Sequence, residues 1–280
     1  MIFSFYLRQN ADHQYEHAYA LIDGLIKHGY ACRFGYYDQI DVQSDVAVVW
    51  SWKQMRLIRE MQRLNKPVLV MERGFFPIRN QWCALGINGL NGRGKYAPCG
   101  DSGERYNRFF KHLDKNISVK KDGYYLVIGQ VTGDASLNGI NPNVWAQDVV
   151  NGLKKRGKKA VFRPHPIEWD RAKRRHQTPF CPIGATLQSG LLEEAFLSAS
   201  CVVTLSSNTA VESVLYGIPT IAMSDISIAY PICSHGLDDH FINDFDAKQK
   251  WCYDIAWRQW SLDELKNGDA VEHIKCLWTH

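Results

Sequence analysis

Apolar residues recur along the first seventy positions in two alternating rhythms. Short runs, Ile2–Leu7, Ala31–Tyr37, Asp45–Trp52 with its core Val46-Ala-Val-Val-Trp50, and Val68–Met71, have the length and β-branched content of buried strands. Between them the period lengthens. Over His13–Tyr30, residues Ala18, Leu21, Ile22, Leu25 and Ile26 form one stripe of an amphipathic helix, which Gly29 ends because glycine accepts the left-handed conformation there. Lys53–Leu64 predicts a second helix. Strands spaced by helices of this length form β-α-β units on a parallel sheet.

The rhythm breaks over residues 73–122. Arg73-Gly-Phe-Phe-Pro77 and the Gly- and Asn-rich stretch 86–94 read as turns, either a plain surface loop or an ordered functional one. After a linker at 120–123 the alternation resumes. Tyr124–Gly129, Lys159–Phe162, Cys201–Leu205 and Ile218–Ala222 predict strands. Asn143–Arg156, Leu187–Ser200 and Asn208–Tyr216 predict helices, the last closed by Gly217. The pattern therefore predicts an α/β protein of two Rossmann-like domains, 1–122 and 123–245, with a helical tail over 246–280. In that tail Ser261-x-x-Glu264 fits a capping box, and the tryptophans read as packing residues.

Composition narrows this without redirecting it. The 280 residues are 45% hydrophobic and 22% charged, which excludes a mainly disordered chain. No apolar run is long enough for a membrane span, and Met1–Arg8 reads as a strand and not a signal peptide, so the expected location is the cytoplasm. The eight cysteines show neither C-x-x-C nor zinc-finger spacing, so reduced thiols are expected and no metal site. Net charge is +4, but 154–175 alone carries +8 and leaves −4 on the remainder. That segment is either a solvated helix end and loop or a surface for a polyanion or phosphorylated ligand.

Three motifs carry candidate chemistry, each after a strand. Ser206-Ser207-Asn208-Thr209 opens a helix whose unpaired N–H groups and hydroxyls suit a phosphate, with Glu212 one turn on to accept from ribose hydroxyls; the alternative is a simple N-cap at Ser207 or Asn208. In Phe162-Arg-Pro-His-Pro166 two prolines fix where Arg163 and His165 point, a pairing suited to phosphate or carboxylate. In Gly129-Gln-Val-Thr-Gly-Asp-Ala-Ser136, Asp134 is either a proton acceptor for an attacking hydroxyl or part of an ordinary turn. In the first half Glu72, which follows a strand, is a rival base.

Gln130-x-x-x-Asp134 with Ser136, then Arg163-x-His165-Pro166, then Ser206-Ser207 with Glu212, together resemble the capsule-polysaccharide-synthesis type of glycosyltransferase, which includes Kdo transferases. The resemblance spans roughly 124–225 and implies a GT-B-like fold, two Rossmann domains with parallel sheets facing a cleft. It implies that Asp134 is the catalytic base. Gln130, Ser136, Arg163, His165, Ser206, Ser207, Asn208, Thr209 and Glu212 would bind the donor, a UDP-sugar or CMP-Kdo. No metal or cofactor is implied, the nucleotide-sugar being a co-substrate. Arg73, Asn88 and Arg93 are the candidates for acceptor contact. The acceptor is a glycan or, as an alternative, a hydroxymethylated pyrimidine in DNA, with the basic segment tracking phosphates. Further alternatives are a non-catalytic nucleotide- or nucleic-acid-binding module and an epimerase or glycerol-phosphate-type transferase.

Overall fold

The computed structural model describes residues 1–37, 43–238, 241 and 244–278. In chain order the elements are β1 (Ile2–Tyr6), α1 (Asp12–Lys27), β2 (Ala31–Phe34), β3 (Val46–Trp50), α2 (Met55–Arg63), β4 (Val68–Arg73), β5 (Trp82–Ile87) and α3 (Glu104–Phe109). Then follow β6 (Tyr124–Ile128), α4 (Pro142–Lys155), β7 (Ala160–Arg163), α5 (Pro166–Arg174), β8 (Ala185–Leu187), α6 (Leu192–Phe196), β9 (Ala199–Thr204), α7 (Thr209–Leu215) and β10 (Thr220–Ala222). The chain closes with α8 (Phe245–Ala256), β11 (Gln259–Ser261), α9 (Leu262–Asn267) and α10 (Asp269–Ile274). It divides into two units, Met1–Phe110 with Lys250–His280, and Lys111–Gln249. The first boundary lies before the expected linker because Lys115 N and Ile117 N donate to Leu215 O and Tyr216 O, which ties that stretch to the second unit.

The first unit holds a six-stranded sheet in the order β11-β5-β4-β3-β1-β2. Strands β2, β1, β3 and β4 are mutually parallel, as the apolar runs predict, and all five residues of β3 are buried, as in a sheet covered on both faces. The antiparallel β5 and β11 lie outside that expectation. Trp82–Ile87 lies in the stretch 73–122 where the rhythm breaks, and only its last two residues fall in the segment read as turns, whose glycines masked a short apolar run. On one face Phe3, Phe5, Leu21, Leu25, Trp260, Val271 and Ile274 form a single core. Gly24 lets α1 approach α9, since a Cβ there would meet Leu265 O at 2.1 Å. Ile26 completes the apolar stripe of α1 yet is exposed, because the tail helices cover the Gly24–Leu25 side.

Tail and α3 are joined by one buried cation. Arg105 donates to Ala256 O (2.7 Å), Gln259 O (2.8 Å) and both carboxylate oxygens of Glu264, and its guanidinium lies 4.5 Å from the Trp260 ring. Glu264 is itself the N3 member of the capping box with Ser261.

The second unit holds a five-stranded parallel sheet in the order β10-β9-β6-β7-β8. Val149, Val150 and Leu153 of α4 cover one face, and Ala195, Phe196 and Ile218 pack on the other. The helix expected over Leu187–Ser200 is much shorter. Gly190 at φ +96° breaks the backbone, Leu187 belongs to β8 and Ala199 to β9, and Leu191 points into solvent. Among the described residues no helix is long and apolar enough to cross a membrane. All eight cysteines are free thiols, four of them buried.

Candidate functional site

In a parallel sheet every strand leaves at the same edge, and α/β proteins bind ligands at that edge because loops and helix starts gather there. All three motifs lie on it in the second unit. Gly129 and Gln130 follow β6, Arg163 ends β7, and Leu205-Ser206 follow β9, so residues far apart in sequence become neighbours. Gly129 is needed for this, because a Cβ there would meet the Phe162 ring at 2.7 Å and Arg163 O at 3.2 Å.

Gln130 is the keystone and is nearly buried. Its Oε1 accepts from Ser206 N (2.9 Å), and its Nε2 donates to Ser206 Oγ (3.1 Å) and Ser136 Oγ (3.3 Å). Ser206 Oγ in turn donates to Ser136 O at 2.8 Å. The N–H and hydroxyl of Ser206 are thus both engaged inside the protein. Ser206 and Ser136 fasten the loops together, and the donors of the next turn start at Ser207. There the Ser207 hydroxyl donates to Thr209 Oγ1 (3.1 Å) and accepts from Thr209 N (3.2 Å), while Asn208 stands at the N-cap without capping α7 through its side chain. Of the two capping residues weighed from the sequence, Ser207 is the one whose side chain meets the helix start.

Asp134 is exposed and caps the short 3-10 turn Ala135–Leu137, its Oδ1 accepting from Ser136 N at 2.9 Å. His165 begins α5, and its Nδ1 accepts from Ile167 N at 3.2 Å. In the neutral ring the proton then sits on Nε2, a donor suited to an anionic oxygen. Arg163 is half-buried and donates through Nη1 to Gly190 O (2.8 Å) and to Gln188 Oε1. Burial lowers its pKa, and the Glu193 and Glu212 carboxylates oppose that change, which places Glu212 within electrostatic reach of the guanidinium. Among the described residues no three His, Cys, Asp or Glu side chains gather as a metal site would require.

The first unit has its own strand-end edge. Glu72 and Arg73 close β4 there, beside Trp50 at the end of β3 and the first turn of α1. His13 lies edge-on to Trp50 at 5.2 Å, and His17 is 5.8 Å from the same ring. Burial first, then the Arg73 charge, pull the His13 imidazole below its ordinary value, against a smaller opposing pull from Glu72. His17 Nδ1 donates to His13 O at 2.9 Å. His17 Nε2 and Gln54 Oε1 are buried without a partner among the described residues. Ser51, after β3, holds φ +63°, a conformation rare for serine that recurs at functional sites. Neither His13 nor His17 was singled out from the sequence; their position just after the first strand was the available signal.

Asn88 and Arg93 do not join this group. They follow β5, which runs antiparallel to β4 and so ends at the opposite edge, about 16 Å away at 3.3 Å per residue. Asn88 is used there structurally, with its Oδ1 accepting from Val68 N (2.9 Å) and its N donating to Val68 O (2.8 Å). The expected trio of Arg73, Asn88 and Arg93 is therefore split, leaving Arg73 with Glu72.

Two Rossmann-like units, each offering a strand-end edge, define a GT-B-like α/β fold. The same fold occurs in the KpsC β-Kdo 2,7-transferase of Thermosulfurimonas dismutans, with a TM-score of 0.55 at 14% identity over 97% of this chain and 99% of that one. The KpsC β-Kdo 2,4-transferase of the same organism matches with a TM-score of 0.54 at 12% identity over 90% and 89%. No protein-family model matches the sequence, and no curated protein is similar to it in sequence. The two Rossmann-like units expected from the motif resemblance are found.

Proposed function

We propose that the chain is a glycosyltransferase that moves a sugar from a nucleotide-activated donor, CMP-Kdo or a UDP-sugar, to an acceptor hydroxyl on a glycan. The observation that carries this reading is the convergence of three separated motifs on one strand-end edge, two of them fastened together by the Gln130–Ser206–Ser136 hydrogen bonds. The near full-length likeness to two Kdo transferases supports it through the fold.

Each residue then has a role. Arg163 and the His165 Nε2–H face donor phosphate or carboxylate oxygens, and Ser207, Asn208 and Thr209 supply further donors at the start of α7. Glu212 accepts from the ribose. Gln130, Ser136 and Ser206 hold this arrangement in place, so that it needs little reorganisation when charge builds on the leaving phosphate. The acceptor oxygen attacks the anomeric carbon and the bond to the phosphate oxygen breaks. The acceptor proton passes to the exposed Asp134 carboxylate, whose Oδ1 is oriented by Ser136 N. Glu72, Arg73 and His13 are the polar groups through which the first unit would hold the acceptor, with Glu72 the rival base.

The DNA alternative drew on the basic segment, whose lysines lie at the edge of the second sheet opposite the donor motifs. Release of CMP or UDP from a panel of activated sugars tests the proposal. One donor should be turned over. Asp134→Ala should lower kcat by about 100-fold or more with little change in donor KM, and Arg163→Ala should raise donor KM by at least about tenfold. Turnover of no donor, or full activity in Asp134→Ala and Glu72→Gln alike, would remove the assignment.

A further inference from the structure

The entry edge of the second sheet carries its own pattern. All five strands are parallel, so every segment that enters a strand lies at one end and every segment that leaves lies at the other. The donor motifs leave. The lysines enter: Lys120 and Lys121 stand just before β6, and Lys158 and Lys159 just before β7. Lys154 and Lys155 close α4, which feeds directly into β7. Helix α5 starts where β7 ends and runs back, so Lys173, Arg174 and Arg175 at its end reach the same edge.

All nine side chains are exposed, and among the described residues none is in an ion pair. Their neighbours Arg156 and Arg171 are already matched, to Asp238 and Glu168. Asp122 is an exposed carboxylate on the same edge. Two large aliphatic side chains are exposed in segments that enter strands, Ile183 (86% exposed) before β8, its backbone paired with the Gln147 side chain of α4, and Leu197 (55% exposed) before β9.

We propose that this edge docks on an anionic phospholipid membrane. Seven of the nine cations are lysine, flexible point charges that suit a fluid layer of headgroups. Lysines also serve a nucleic-acid backbone, but surfaces that read or stack bases add forked arginine contacts and aromatic rings. Protruding isoleucine and leucine have no use on a phosphate backbone, but they can enter the headgroup boundary beside the cations. Docked this way, the unit keeps its motif edge turned away from the bilayer and open to substrate. The proposal stands on charge and topology and does not depend on glycosyl transfer.

The full-length protein would be sedimented with phosphatidylcholine vesicles, with and without about 30% phosphatidylglycerol, at about 50 and 500 mM salt. Binding is expected only to the anionic vesicles and only at low salt. Reversing four charges, Lys154→Glu, Lys155→Glu, Lys158→Glu and Lys159→Glu together, should weaken partitioning about 100-fold or more, and Ile183→Asp should weaken it about tenfold. The same number of reversals elsewhere, at Lys27, Arg56, Arg59 and Lys266, should cost far less; circular dichroism would show that both quadruple variants are folded. Failure to bind anionic vesicles at low salt overturns the proposal, as does equal loss from the two quadruple variants. Capture by duplex DNA that anionic vesicles fail to displace does the same.

Discussion

Replacing Gln130 with methionine keeps most of the side-chain volume and removes every polar atom. Three hydrogen bonds disappear, to Ser206 N, Ser206 Oγ and Ser136 Oγ. At about 1 kcal/mol each, and with the buried Ser206 N–H left unpaired, the expected loss is about 2–4 kcal/mol. For a protein of this size that corresponds to a fall in Tm of roughly 5–15 °C, readable by thermal unfolding. The functional effect should be sharper than the structural one. Without Gln130 the Ser206–Asn208 turn is tied to the loop bearing Asp134 only through the Ser206 Oγ–Ser136 O bond, so donor KM should rise at least about tenfold even where the protein stays folded. Ser206→Ala should overlap with it, the double variant falling short of additivity by about 1–2 kcal/mol. A Gln130→Met protein with unchanged Tm and unchanged donor KM would refute the idea that this side chain sets the site.

Other consequences concern the first unit. Arg105→Ala should cost about 3–5 kcal/mol in urea unfolding, because Glu264 and two buried carbonyls lose their partner together. Burial alone would raise the Glu264 carboxyl, but the Arg105 bonds and charge outweigh it and hold the group below its ordinary range. That stabilisation is complete above the ordinary glutamate value of about 4.3 and disappears as pH falls through the lower native value, a loss Arg105→Ala should flatten. His13 should titrate below about 6.5 by NMR and move upward in Arg73→Ala; because the unfolded chain takes up that proton first, its part in stability declines on acidification. A His13 midpoint unmoved by Arg73→Ala would show that the two are not electrostatically coupled.

The parallel strands other than β8 were legible because each is a short apolar run between helical stripes, and α1, α4 and α7 because their apolar spacing marks one face; β8 is only three residues long and was hidden at the start of the helix expected from Leu187. What escaped was structure made by partners distant in sequence. Gln259–Ser261 becomes a strand only because Trp82–Ala84 lies beside it. Trp82–Ile87 carries Gly86, whose Cβ would strike Gly89 O at 2.5 Å, so a glycine serving close backbone approach looked like a turn residue. In the candidate site the motifs lie on loops that share one sheet edge, yet the sequence did not show which of their atoms are already committed. Ser206 looked like a phosphate donor and is an internal fastener, a distinction visible only once Gln130 is seen opposite it. His13 and His17 escaped for a similar reason, since what marks them is the Trp50 ring that β3 brings from over thirty residues away.

The first unit is interrupted by the second, and this sets an order of events on the ribosome. Lys111–Gln249 is contiguous and can close its own core as soon as it emerges, while the earlier stretch waits with β5 uncovered for β11 and Trp260. Until those last residues are synthesised, β5 is a bare sheet margin open to the wrong strand. A nascent chain halted near residue 249 should therefore yield one protease-resistant half and one that is readily degraded.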